Sequence, residues 1–219
     1  MTTIYLEGLI AAGKTTTMSH FTRGMSAETF SIVEEPLRDF QYFPTLSGEV
    51  IEPLTEFYQN PSQEAIVVQL HVLDTYEAKL RAIQESGSTT VKIWDRGPDA
   101  CLIFTRTLYK LGHITKLGYE YWMRRYREIK AKYRDHSSPK GIFFIDTPID
   151  VCLQRQRERG RLMEKDFGDM KNYLHVLRET YMEYLTTTDA EVKIVSQVLC
   201  EDNLTNEFKQ FVNSVCCFG

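Results

Sequence analysis

The stretch Gly8-Leu9-Ile10-Ala11-Ala12-Gly13-Lys14-Thr15 constrains this chain more than any other. Two glycines five positions apart, followed by Lys-Thr, fit the loop in which backbone N–H groups close around nucleotide phosphates. Thr3-Ile4-Tyr5-Leu6-Glu7 before it is apolar and β-branched enough for a buried strand, and Thr15 to His20 after it contains no helix breaker. Strand, glycine turn and helix are the context such a loop needs. The glycines let the backbone approach phosphate oxygens, and the helix N-terminus adds a partial positive charge. A nucleoside triphosphate is therefore expected on residues 8–16, Thr16 included. Lys14 would reach the β and γ phosphates and the Thr15 hydroxyl would hold Mg²⁺.

The remaining composition narrows the partners. At 219 residues, with 42% hydrophobic and 26% charged positions, the chain can bury a substantial core as one domain. A net charge of −4 argues against a nucleic-acid polymer as partner. No apolar run is long enough to span a bilayer and no signal-like N-terminus appears, so a cytoplasmic protein without a membrane partner is expected. The five cysteines (Cys101, Cys152, Cys200, Cys216 and Cys217) include no CxxC pair, so neither a disulfide framework nor a zinc site is indicated. Cys216 stands fourth from the end, but the residues around it lack the aliphatic and basic character of a lipidation signal.

Along the chain, strand-like and helix-like segments alternate. Thr29–Glu34, Thr90–Trp94, Gly141–Asp146 and Val192–Val195 read as further strands. Helical patterns fit Glu49–Tyr58, Ser62–Glu85, Pro98–Leu111, Thr115–Tyr133, a segment from Pro148, Asp169–Leu185 and the stretch after Asp202. The expectation is an α/β fold of the P-loop NTPase type. It would have three αβα layers, a parallel sheet of about five strands and an arginine-rich lid at about 155–166. In such sheets the chemistry lies beyond the carboxyl ends of the strands. That would bring the glycine loop, Glu34-Glu35 and Asp95-Arg96 to one edge.

Each charged group is ambiguous taken singly. Only one of Glu34 and Glu35 can point into a site, because strand side chains alternate. A carboxylate there would suit a general base, and a solvated strand end is the plain alternative. Asp95 could help hold Mg²⁺, and the Arg96 guanidinium could contact phosphate or position a base. In Arg155-Gln156-Arg157-Glu158-Arg159-Gly160-Arg161, a helix puts Arg155 and Arg159 on one face. Like charges so placed repel unless an anion sits among them, which suggests a lid that clamps phosphate.

Taken together, the chain resembles the deoxyribonucleoside kinases, including the herpesviral thymidine kinases. The resemblance rests on Gly8–Thr15, Glu35-Pro36, Tyr58 with Asn60-Pro61, Gln69, Asp95-Arg96, and Arg155–Arg161 followed by Glu164. It implies an ATP-dependent enzyme of nucleotide salvage that phosphorylates the 5′-hydroxyl of a deoxynucleoside, most simply as a homodimer through Pro98–Leu111 and Thr115–Tyr133. By the same resemblance Glu35 would be the catalytic base, Arg96 would contact it and the 5′-oxygen, and Asp95 would stand beside Mg²⁺. Gln69 would read the base edge, and Tyr58 and Glu164 would hold the sugar 3′-hydroxyl. Arg155, Arg159 and Arg161 would close on the phosphates.

Base preference is read from two neutral positions. Deoxycytidine- and purine-using members carry an Arg where this chain has Tyr76 and an Asp where it has Cys101, so the chain is more similar to thymidine-using members. It departs from the family elsewhere. Phe40 stands for a usual Trp, Thr105 for a stacking aromatic with Phe104 just before it, and Val68 for the aromatic preceding the glutamine. The base pocket would then be rebuilt from Phe40, Tyr42 and Phe104, or be broader in specificity. One rival is a thymidylate-type monophosphate kinase, which would want extra basic residues near the second strand, where only Arg38 stands, next to Asp39. A nucleotide-dependent switch is a more distant rival, since no Asn-Lys-x-Asp sequence is present.

Overall fold

Five parallel strands in the order β2-β5-β1-β6-β7 form the centre of the molecule: β1 (Thr3–Gly8), β2 (Phe30–Val33), β5 (Val91–Asp95), β6 (Gly141–Asp146) and β7 (Glu191–Ser196). The structure is a computed structural model, and it describes residues 1–23, 26, 28–36, 43–44, 50–51, 53–160, 168–196 and 201–217. β1 sits in the middle, paired on one side with β5 (Leu6 opposite Asp95) and on the other with β6 (Gly8 opposite Ile145). Every residue of β1 is buried, as an inner strand covered on both faces requires.

The helices lie in two layers. On one face α1 (Lys14–Thr22) packs with the C-terminal helix α9 (Glu201–Cys217), which also touches β6 and β7. Phe21, Phe143, Phe208 and Phe211 fill the space between, with Phe143 and Phe208 ring centres 5.1 Å apart. The other face carries α3 (Pro61–Ser86), α4 (Asp99–Lys110), α5 (Lys116–Lys132) and α8 (Met170–Thr187). α2 (Pro53–Gln59) leans on α3, α6 (Arg134–Ser137) is a single turn, and α7 (Ile149–Arg159) follows β6. This is the expected three-layer architecture. Among the described residues, no helix is long and apolar enough to cross a membrane.

One segment differs from expectation. Val50–Ile51 is not the start of a helix but a short strand, β4, antiparallel to β3 (Phe43–Pro44). The helix begins at Pro53 because a proline ring clashes with the carbonyl four residues back, and so is tolerated only in a first turn. Strands of two residues leave no period in the sequence, which is why the pattern does not reveal this ribbon. Phe40, Tyr42, Arg38, Asp39, Arg161, Glu164 and Cys200 lie outside the described residues, so the expectations placed on them have no structural counterpart here.

Candidate active site

β1 delivers the chain into the glycine loop at the carboxyl edge of the sheet. The turn closes with the Ala12 N–H donating to the Leu9 carbonyl at 3.1 Å. Ala11 (φ 62°) and Gly13 (φ 101°) both adopt left-handed conformations. At Gly13 that geometry immediately precedes α1, so it turns the first free N–H groups of the helix into the cleft. Leu9 is wholly buried, and its carbonyl accepts from the Ala12 N–H. Two groups from outside brace the loop: the Thr147 hydroxyl donates to the Ala12 carbonyl at 2.9 Å, and Arg155 Nη1 reaches the same oxygen at 3.3 Å. Lys14 Nζ donates to the carbonyls of Leu9 (3.2 Å) and Gly8 (3.4 Å). Burial, with the Arg96 charge adding to it, pulls the Lys14 ammonium down to about 8.

Beside the loop, the ends of β2 and β5 bring Glu35 and Arg96 together. Arg96 Nη1 donates to Glu35 Oε1 at 2.8 Å, and Nη2 donates to the Gly8 carbonyl at 3.0 Å. Glu34 points outward and is exposed, which resolves the choice between the two glutamates. Arg96 itself sits in the left-handed region at φ 67°, where a non-glycine residue persists only if its surroundings hold it. Here the Arg96 N–H donates to Leu6 O at 3.1 Å and the Tyr76 hydroxyl donates to Arg96 O at 3.1 Å. The following N–H, of Gly97, donates to Glu7 Oε1 at 2.7 Å. Gly97 has no room for a side chain, since a Cβ there would fall 2.4 Å from the Tyr5 ring.

Glu7 is the residue that sequence reasoning passed over. It is buried under Arg96, takes a second hydrogen bond from the Tyr181 hydroxyl at 2.9 Å, and is pushed up to about 7 by burial, with Arg96 opposing. The signal was available: a lone carboxylate in a fully buried apolar strand needs a polar partner.

Asp95 and Thr15 meet across the loop, with the hydroxyl donating to Asp95 Oδ2 at 3.4 Å. The other oxygen, Oδ1, is buried without a hydrogen-bond partner, and burial raises this carboxyl above its usual range, with Lys14 opposing. A hydroxyl beside a carboxylate with an unused oxygen is a donor set that fits a divalent cation completed by phosphate and water. Among the described residues there is no cluster of three or more His, Cys, Asp or Glu.

These groups line one end of a cleft of about 460 Å³, a size suited to a small organic ligand. Residues 10–17, Glu35, Arg96, Arg155 and Arg159 form its charged end. Its other end is built from Leu54, Phe57 and Tyr58 of α2, Gln69, Val72 and Tyr76 of α3, Ala100, Cys101 and Phe104 of α4, and Tyr173 of α8. The Phe104 ring also carries the Arg96 guanidinium 4.9 Å from its centre. Gln69 is the amide at the apolar end. Tyr76 and Cys101 are both buried and present no charge there.

A family model for deoxynucleoside kinase matches residues 4–216. The chain belongs to the deoxynucleoside kinase family. Its relatives include "Deoxycytidine kinase 2" of Gallus gallus, 22% identical over 82% of this chain and 73% of the relative. Another is "Thymidine kinase 2, mitochondrial" of Macaca fascicularis, 25% identical over 83% of this chain; the match spans 63% of that protein's length. Among solved structures, the deoxyadenosine kinase from M. mycoides with bound dCTP superposes with a TM-score of 0.77 at 18% identity, covering 97% of this chain and 99% of that one. The same kinase with bound dATP gives 0.77 at 17% identity, over 97% and 100%.

In this deoxynucleoside kinase the cleft gathers most residues expected of a site. Lys14, Thr15, Thr16, Glu35, Tyr58, Gln69, Tyr76, Arg96, Cys101, Phe104, Arg155 and Arg159 all line it. Gly8 and Asp95 join through their hydrogen bonds to Arg96 and Thr15. Thr105, which stands where the family has a stacking aromatic, is fully buried and bonded to Gln69. Thr147 and Tyr173, like Glu7, were not expected; each lies in a segment whose pattern announces only a strand end or an amphipathic helix.

Proposed function

We propose that this kinase transfers the γ-phosphoryl group of ATP to the 5′-hydroxyl of a deoxyribonucleoside, preferring thymidine with some wider use of pyrimidines. The observation that carries the reading is the Glu35–Arg96 pair, which stands between a triphosphate loop and an apolar pocket with one amide. A nucleoside lying in that pocket presents its sugar to Glu35. Glu35 accepts the 5′-hydroxyl proton as the oxygen attacks, and Arg96 holds the carboxylate in line and neutralises charge near the 5′-oxygen. Lys14 leaves the Gly8 and Leu9 carbonyls for the β and γ phosphates, and the loop N–H groups hold the same oxygens. Arg155 and Arg159, on one face of α7, add positive charge from the other side. Thr15 and Asp95 would hold Mg²⁺, which when bound supplies charge neutralisation for the transferring group.

Thymidine preference rests on the neutral Tyr76 and Cys101, since a charged pair at the base end would suit other bases. The relatives are named for deoxycytidine, thymidine and deoxyadenosine, so the ranking among bases is ours. The whole chain acts as one kinase domain in this reading. A homodimer through α4 and α5 remains part of this reading; α4 is largely covered by the chain itself. Exposed Val67 on α3 and Leu117 and Tyr121 on α5 are the surface we propose for a homodimer.

The deciding experiment is a phosphoryl-transfer screen with Mg-ATP against the four deoxynucleosides and their 5′-monophosphates. Product from thymidine and none from its monophosphate is the expected result. Product from monophosphates alone would overturn the reading in favour of a thymidylate-type kinase. Nucleotide-dependent partner binding with no small-molecule product would favour a switch.

A further inference from the structure

The base end of the cleft contains a polar contact with no part in phosphoryl transfer. The Thr105 hydroxyl of α4, fully buried, donates to Gln69 Oε1 of α3 at 3.0 Å. Thr105 does not line the cleft; it stands behind the amide. Two other helical threonines, Thr107 and Thr75, use their hydroxyls differently. Thr107 donates to Ile103 O at 2.8 Å and Thr75 to His71 O at 2.9 Å, each bonding back to its own helix. Thr105 is turned away from that pattern and onto the glutamine. Gln69 is itself anchored, because the Trp122 indole N–H donates to its backbone carbonyl at 3.0 Å. Among the described residues, no hydrogen bond within the protein uses Nε2 of Gln69.

An amide side chain has an acceptor end and a donor end, and a half-turn about its last bond exchanges them. With one lone pair of Oε1 occupied by Thr105, the amide offers a single order of one acceptor and one donor to whatever enters. Nucleobases differ in that order. Thymine presents N3–H as donor and O4 as acceptor, whereas cytosine presents N3 as acceptor and N4–H as donor. In one base position, an amide that pairs with thymine must turn over to pair with cytosine. Turning over Gln69 would set Nε2 against the Thr105 oxygen and force the hydroxyl proton back toward its own helix.

We propose that Thr105 is a specificity-determining positioning residue, which biases the Gln69 amide toward one order and so separates keto bases from 4-amino bases. The proposal rests on the nucleoside-kinase reading above. On the thymidine preference, the held order sets Oε1 opposite N3–H and Nε2 opposite O4. The turned amide would donate from Nε2 to the Thr105 oxygen, so the bias is the difference between two buried hydrogen bonds and its effect on discrimination is at most about tenfold. It would act on selection between bases and leave the chemistry at Glu35 alone.

The test compares kcat/KM for thymidine and deoxycytidine, with Mg-ATP, in the wild type and in Thr105→Val, Thr105→Ala and Thr105→Ser. Valine keeps the shape and removes the hydroxyl, alanine guards against a valine that packs badly, and serine restores the donor. The expected result is a thymidine-to-deoxycytidine ratio that moves toward one, by at most about tenfold, in the valine and alanine variants and returns in the serine variant. The change should appear in KM for the disfavoured nucleoside. Equal losses for both nucleosides, with the ratio unchanged, would mean that Thr105 merely packs and would overturn the proposal alone. A wild type that favours deoxycytidine, with a ratio still collapsing toward one, would support the bias while reversing the thymidine assignment. A wild type that phosphorylates no deoxynucleoside would overturn the parent reading and this one with it.

Discussion

The two ends of the cleft are built on different principles. The charged end is assembled from main chain: a turn with two left-handed residues, the carbonyls of Gly8 and Leu9, and Arg96 held at φ 67° by hydrogen bonds to its own peptide groups. The base end is assembled from side chains that four helices bring together, with Gln69 as its polar centre. The first is set by short contiguous sequence and by strand register; the second exists only once α2, α3, α4 and α8 have packed. Changes at the first end should therefore alter turnover for every nucleoside, and changes at the second should alter which nucleoside binds.

Glu35→Gln gives the largest expected effect. The amide keeps a hydrogen bond to Arg96 but cannot take the proton, so kcat should fall by about 10²- to 10⁴-fold. Titration calorimetry should show Mg-ATP affinity unchanged. A variant with near wild-type turnover would remove Glu35 from the chemistry and the carboxylate from the comparison. At the opposite end, Gln69→Ala leaves the polar base edge unpaired in the cleft, a loss of about 1–3 kcal/mol. The expected outcome is a rise of roughly ten- to hundredfold in nucleoside KM with kcat altered little. A loss confined to kcat would mean that the two ends are not separable.

How much of this was legible depended on the same distinction. Strand-turn-helix around Gly8–Thr15 and the charged strand ends at Glu35 and Arg96 were readable because parallel strands must finish on one edge. Register then does the rest: Leu6 lies opposite Asp95 and Val33 opposite Trp94. The fold class and the sheet of five strands followed from the same alternation. The β3–β4 ribbon and the wall at Tyr173 were not readable, because neither leaves a period that differs from an ordinary loop or amphipathic helix. Thr105 is more instructive. Read by position it was a missing aromatic; its hydroxyl acquires meaning only through a contact with a residue 36 positions away.

A smaller effect comes from Lys14. Its ammonium in the free protein is pulled down to about 8, and a bound triphosphate would restore it upward. Between those two values the complex holds a proton that the free protein has lost, so binding takes up protons and affinity falls as pH rises through 8. The decline should be at most about tenfold per pH unit. Calorimetry in two buffers of different ionisation enthalpy should read an uptake of about half a proton at pH 8 and almost none at about pH 6.5. No uptake at pH 8 would mean that the charged end is already poised without nucleotide. The nucleoside, whose site is at the neutral end, should bind with no such proton linkage.

The smallest effect is the sharpest test of the division, because Tyr76 belongs to both ends. Its ring lines the base pocket and stacks on Trp94 at 6.0 Å, while its hydroxyl donates to the carbonyl of Arg96. If position in the cleft decides behaviour, Tyr76→Phe should alter the ranking of nucleosides. If the bond decides it, the same change should loosen the left-handed Arg96 and lower kcat alike for every nucleoside, by about two- to tenfold for one buried hydrogen bond. We expect the second outcome, since phenylalanine preserves the shape that a base would meet and removes only the group that holds Arg96. Glu7 and Leu6 would still grip the neighbouring peptide groups, which is why the loss should stay small. A Tyr76→Phe enzyme with unchanged kcat and a reordered preference would move the boundary between the two ends from the main chain of Arg96 to the face of α3.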